Sequence, residues 1–240
     1  MLARIAQFPK NRFLQWRLNK RIEDAHTASF ETENQRICVI HSILRDSHQQ
    51  DGLKHRFQAY KLLALFKLLD NYQPTSILEF GTGTTTKAFF HYLSDKRLAC
   101  LHSVEENQHW LDVIKKDPLL EQLGDRVTTN LSKREFVDSE VTEFRYSDVP
   151  NLDPDFIFVD GPSNLLAGHN VKNAVNTNAL DFVKRGKRPI IVVSARMATA
   201  KYLQTTLVDY VVVESDLLKQ RYFKDYNYFT IFIPQNKNSR

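Results

Sequence analysis

The chain has 240 residues and a mass of 28.0 kDa, which suits one large α/β domain with an appendage better than two small domains. A hydrophobic fraction of 42% with 11% aromatics is enough to bury a sheet on both faces and excludes a chain disordered throughout. The 33 basic and 28 acidic side chains leave a net charge of +5, but the signs interleave, so the excess has to be sought locally.

It lies at the front. Arg4, Lys10, Arg12, Arg17, Lys20 and Arg21 precede the first acid, Glu23, with Leu2, Ile5, Phe8, Phe13, Trp16 and Leu18 among them. Such a segment is placed to meet anionic lipid or nucleic acid, although Pro9 interrupts its periodicity and packing on its own domain or on a second subunit ranks first. Residues 1–55 therefore read as a basic, mostly helical extension, with a seam near Asp51-Gly52, and residues 56–240 as the main domain. Cys38 and Cys100 form neither a C-x-x-C pair nor a zinc-ligand spacing, so a reducing setting and no structural metal are expected. No apolar run of membrane-spanning length and no secretory signal occurs, which points to a cytoplasmic, at most membrane-peripheral protein.

The main domain alternates helices and strands. Arg56 to Asp70 is rich in strong helix formers and apolar around most of its circumference, predicting a largely buried helix ended by Asn71 and Pro74. Ser76–Phe80 reads as a strand, Gly81 and Gly83 as a turn, and Thr84–Leu93 as a helix with Thr84 to Thr86 available as caps. Strands at 98–104, 126–131, 156–159 and 189–193 follow, with a helix over 108–116 and another defined by Val171, Val175, Ala179, Phe182 and Val183. The final strands, 210–213 and 228–233, are joined by a connection too short for a crossover helix, so an antiparallel joint is expected. The pattern predicts an α/β fold: a doubly wound, seven-stranded, mostly parallel sheet whose last strand is antiparallel, with its ligand at the carboxyl ends of the strands.

Three strand ends carry chemistry. After the first strand, Glu79-Phe80-Gly81-Thr82-Gly83-Thr84 lets the backbone turn tightly against a ligand while the next helix aims N–H groups at it, so a nucleotide-like ligand is expected. Thr86 stands where a dinucleotide fingerprint wants glycine, and no Gly-Lys-Ser/Thr follows, so the NAD and ATP versions are not met. Glu105, ending the second strand, is placed to accept hydrogen bonds from both ribose hydroxyls, with Glu106 expected to cap the next helix. Asp160, delivered by the strand 156–159 onto a Gly-Pro turn, is placed to take a proton from a substrate hydroxyl, hold the ligand, or cap the turn.

In order and spacing, Leu78-Glu79-Phe80-Gly81-Thr82-Gly83-Thr84-Thr85-Thr86, Val104-Glu105-Glu106-Asn107-Gln108-His109-Trp110 and Phe158-Val159-Asp160-Gly161-Pro162 resemble the class I S-adenosylmethionine-dependent methyltransferases. The resemblance covers about residues 74–233. It implies S-adenosylmethionine as cofactor, a Rossmann-like fold, Glu79, Gly81 and Gly83 bordering the methionine part, Glu105 on the ribose and Asp160 near the transferred methyl, with Phe80, Thr82 and Thr84 of the same turn also expected to bind the cofactor. The fifth strand ends in Val193-Ser194-Ala195-Arg196, without the acid and amide that complete a magnesium triad in related catechol-type enzymes, so no metal is expected. No Asn-Pro-Pro-Tyr follows the fourth strand, which argues against base-flipping amino-methylating enzymes.

The expected reaction is O-methylation of a small molecule or a glycan sugar, with Asp160 as first choice of base and His169, in a segment read as opening a helix, as second. Arg196 is placed either to clamp an anionic acceptor such as a uronate or phosphate, or to lie in solvent. A homodimer and a peripheral membrane contact through the basic front are the further partner expectations. Nucleic acid ranks below them, and a nucleic-acid-binding methyltransferase or a noncatalytic nucleotide-binding module is the alternative function.

Overall fold

A computed structural model describes residues 39–40, 42–44, 58–138, 141–166, 168–171, 173–214 and 229–235. The chain divides into two compact units, Met1–Leu65 and Phe66–Arg240. The basic front, the expected seam at 51–52 and the tyrosine-rich connection after residue 214 lie outside the described residues. Helix α1, Gln58–Tyr72, crosses the unit boundary.

The second unit is a seven-stranded sheet. Its strands are β1 (Ser76–Phe80), β2 (Cys100–Glu105), β3 (Val127–Leu131), β6 (Phe156–Val159), β9 (Ile190–Ser194), β10 (Tyr210–Glu214) and β11 (Phe229–Pro234). They lie in the order β10-β11-β9-β6-β1-β2-β3. The pairs β1–β2, β1–β6, β2–β3 and β6–β9 are parallel. Strand β11 runs antiparallel to both neighbours, β9 and β10, which is the antiparallel last strand expected from its short connection. Chain order reverses between β1 and β6, so the crevice of a doubly wound sheet opens there.

The central strands explain themselves. Every residue of β6 and of Ile77–Phe80 in β1 is buried, without the in–out alternation of a one-sided sheet, because helices cover both faces. Thr75 and Ser76 fasten the start of β1 to the start of β6: both backbone N–H groups and the Thr75 hydroxyl donate to the Asp155 carboxylate at 2.7–3.1 Å. Helices α2 (Thr84–Asp95), α3 (Gln108–Lys115), α4 (Pro118–Leu123), α5 (Asn178–Lys184) and α6 (Met197–Thr206) join the strands. Among the described residues no helix is long and apolar enough to cross a membrane.

Several local expectations need correction. The helix read from Val171 onward begins only at Asn178. Val175 instead bridges Glu143, its N–H donating to Thr142 O and its carbonyl accepting from Phe144 N–H, both at 2.9 Å. The polar run Asn176-Thr177-Asn178 bonds to other backbone and side-chain groups rather than continuing a helix. His169 opens no helix either; it lies in β8 (His169–Asn170), paired with β7 (Leu165–Leu166) in a small hairpin. A second hairpin, β4 (Arg134–Asp138) with β5 (Thr142–Tyr146), and helix α6 add to the elements the sequence pattern predicts.

Candidate functional site

The strand ends β1 and β6 touch through two glycines. Gly81 has φ +92°, and a Cβ there would meet Gly161 N at 2.6 Å and Gly161 Cα at 2.8 Å. A Cβ on Gly161 would meet Gly81 Cα at 2.7 Å and the Tyr146 hydroxyl. The N–H groups of Asp160 and Gly161 both donate to Phe80 O, at 2.8 and 2.6 Å. No other residue type tolerates that approach, so the pair of glycines sets the floor of the crevice.

Above that floor opens a cleft of about 840 Å³, lined at its β1–β2 side by Gly81, Thr82, Glu105 and Trp110, and at its β6–β9 side by Asp160, Ser194 and Met197. Glu105 is 4% exposed. Its Oε2 accepts from Thr82 N–H at 2.7 Å and from Thr82 Oγ1 at 3.1 Å, while Oε1 accepts from Asn107 N–H at 2.8 Å. Burial, and then the neighbouring Glu106 carboxylate, push the Glu105 pKa up to about 7 against those N–H donors.

Glu106 does not cap the next helix. Asn107 does, its side chain accepting from His109 N–H at 2.9 Å. Glu106 instead accepts from the Tyr146 hydroxyl at 2.8 Å and from Ser163 N–H at 2.7 Å. Tyr146 stacks on Phe80 with ring centres 5.7 Å apart, and its burial pushes the phenol well above its usual range.

The turn from Asp160 to Ser163 is held from four sides. Arg196 Nη2 donates to Asp160 O at 2.5 Å, Asn176 Nδ2 to Gly161 O at 3.0 Å and Arg134 Nη1 to Ser163 O at 2.7 Å, while Glu106 takes Ser163 N–H. Side chains from four separate stretches of chain thus fix the backbone that carries the Asp160 carboxylate. Spacing in the sequence carried no signal for Arg134, Asn176 or Tyr146, because they converge only through the hairpin and the loop before α5. Arg196, read as a clamp or a solvated side chain, is half-buried, and its second amino group donates to Asn164 Oδ1 at 2.9 Å.

The other sequence candidates divide. Gly81, Thr82, Glu105 and Asp160 line the cleft, whereas Glu79, Phe80, Gly83, Thr84 and His169 are not among its lining residues. Glu79 is fully buried beneath the glycine turn, accepting from Ser103 Oγ at 2.7 Å, Thr86 Oγ1 at 2.9 Å and Thr85 Oγ1 at 3.1 Å. Burial outweighs those three donors and raises its pKa to about 8. Thr86 Oγ1 also accepts from Gly83 N–H at 2.8 Å, so Glu79 holds the start of α2 through Thr86. His169 is exposed.

Ser194, at the end of β9, is 1% exposed, and its Oγ has no hydrogen-bond partner among the described residues. An unpaired buried hydroxyl costs on the order of 1–3 kcal/mol. The next residue, Ala195, has φ +51°, a left-handed conformation that costs a non-glycine residue about 1–2 kcal/mol and turns the chain from β9 into α6. Among the described residues, no group of three or more His, Cys, Asp or Glu is gathered to hold a metal ion.

Compared with solved structures, the chain superposes on the methyltransferase PaMTH1 of Podospora anserina, solved with S-adenosylhomocysteine, with a TM-score of 0.50 at 14% identity, covering 89% of this chain and 96% of that one. The chain carries the class I methyltransferase fold. Looser likenesses are a methyltransferase from Geobacter sulfurreducens (TM-score 0.47, 13% identity, 82% and 88% covered) and the O-methyltransferase TomG from Streptomyces achromogenes (0.46, 13%, 81% and 89%). No protein-family model matches the sequence, and no curated protein matches it. Within this methyltransferase fold, the cleft lies where the strand order reverses and the glycine turn, Glu105 and Asp160 sit at three adjacent strand ends.

Proposed function

We infer that the protein is an S-adenosylmethionine-dependent methyltransferase acting on a hydroxyl of a small molecule. One observation carries the reading: Gly81-Thr82, Glu105 and Asp160, from the ends of β1, β2 and β6, line one cleft at the switch point of a methyltransferase fold. S-adenosylhomocysteine in PaMTH1 supports the choice of ligand.

The lining fits that cofactor chemically. It carries Glu105, Glu106 and Asp160 against one cation, Arg196, an excess of negative charge that suits a ligand bearing a sulfonium and an ammonium. Glu105 is our candidate to accept hydrogen bonds from the ribose hydroxyls, and a cation bound nearby favours its ionised form. Bound there, S-adenosylmethionine supplies an electrophilic methyl group. The protein then has three tasks: align the acceptor oxygen with that methyl, exclude water, and receive the acceptor's proton. Asp160 is the group at the cleft that takes the proton on its carboxylate, its own carbonyl held by Arg196 and that of the next residue, Gly161, by Asn176.

Calorimetric titration with S-adenosylmethionine and with NAD tests the reading. Micromolar binding of the former and none of the latter is expected; preference for NAD, or silence from both, would sink it.

A further inference from the structure

The acceptor half of the cleft has a character of its own. At the end of β9, Ser194 is almost wholly buried, lines the cleft, and presents a hydroxyl with no partner among the described residues. A group in that condition has hydrogen-bonding capacity to offer a ligand, or the water a ligand displaces. Flanking it at the mouth are two apolar side chains left in solvent, Leu165 at 51% and Met197 at 71% exposure, both lining the same cleft. Covering them rewards a ligand with an apolar body.

Charge narrows the class further. The described lining holds three carboxylates, Glu105, Glu106 and Asp160, and one guanidinium, Arg196. Both amino groups of Arg196 are committed, to Asn164 Oδ1 and Asp160 O, so it braces the Asp160 turn, and its buried Nε, without a partner among the described residues, leaves a single donor. A uronate or phosphate brought here would face net negative charge.

Resting on the methyltransferase reading above, we propose that the acceptor is an uncharged hydroxyl compound with an apolar body, anchored by a hydrogen bond to Ser194 Oγ and seated between Leu165 and Met197. The anchor holds the acceptor on the β9 side, and Asp160, directly after the neighbouring strand β6, lines the same space.

The test uses the full chain, first titrated with S-adenosylhomocysteine and then, saturated with it, with 2-naphthol and separately with glucuronate. Naphthol is expected to bind at least about tenfold more tightly than glucuronate. Ser194→Ala should weaken naphthol binding between about threefold and tenfold, the value of one hydrogen bond, with S-adenosylhomocysteine affinity within about twofold of the parent. Met197→Glu, at an exposed position that does not endanger folding, should weaken naphthol by a similar factor. Glucuronate binding as well as or better than naphthol, no binding of either, or naphthol affinity untouched by both substitutions overturns the proposal. Failure of S-adenosylhomocysteine to bind at the first step instead overturns the methyltransferase reading.

Discussion

Replacing Glu79 with glutamine isolates a buried carboxyl whose ionisation works against the fold. Glu79 is fully buried, and its pKa is about 8 against the ordinary value of 4.5. A carboxyl whose folded-state pKa lies above its unfolded value binds a proton more tightly when folded. Its contribution is therefore complete below about pH 4.5 and is lost as pH rises through about 8. The gap of about 3.5 pH units, at 1.36 kcal/mol each, amounts to about 5 kcal/mol across that window. Glutamine cannot ionise, and its amide keeps acceptor oxygen for Thr86 and Ser103, so the variant carries a nearly constant offset of about 1 kcal/mol from rearranged hydroxyl donors. Urea denaturation of both proteins at half-unit steps from pH 4.5 to 8.5 gives the difference curve. The parent should be more stable at the acid end and lose several kcal/mol relative to Glu79→Gln by pH 8.5. Parallel curves would refute the argument that desolvation outweighs the three hydroxyls.

Other substitutions probe the site. Gly81→Ala combines a left-handed φ with a Cβ 2.6 Å from Gly161 N and should cost about 2–5 kcal/mol in denaturation, with loss of S-adenosylhomocysteine binding; a parent-like urea midpoint would disprove the contact between the strand ends. Glu105→Gln, which leaves one oxygen for Thr82, should weaken S-adenosylmethionine by about 1.5–3 kcal/mol in calorimetry, and unchanged affinity would remove its ribose role. Asp160→Asn should lower turnover more than cofactor affinity, whereas equal losses would indicate a binding role. Tyr146→Phe, which withdraws one donor from Glu106 while keeping the stack on Phe80, should destabilise by about 1.5–3 kcal/mol; an unchanged melting temperature would show that Glu106 is held by Ser163 alone.

Much of the sheet is legible in the sequence because each central strand is buried on both faces and so appears as a short, unbroken apolar run. Ser76–Phe80 and Phe156–Val159 are the examples, their bounds readable to the residue. Gly81, Glu105 and Asp160 were readable for a related reason: a strand end is a fixed place, and residues there share one edge of the sheet. The helix expected from Val171 fails because apolar spacing alone does not register that Val175 has a strand partner in Glu143, or that three consecutive Asn and Thr residues bond elsewhere. Helix α6 is missed because its periodicity is weak.

What only tertiary structure decided is how the strand ends are used. Sequence alone treats Glu105 and Glu106 as neighbours with separate duties at a helix start. Folding sends one carboxylate to the glycine turn and the other to Tyr146 and Ser163, 40 and 57 residues away. It also ties the two amino groups of Arg196 to Asp160 and Asn164, takes Glu79 out of the cleft lining, and leaves Ser194 with an unanswered hydroxyl. The physical reason is common to all four: hydrogen-bond satisfaction in a buried site is settled by whichever donors and acceptors the packing brings within 3 Å, and sequence spacing does not encode that distance.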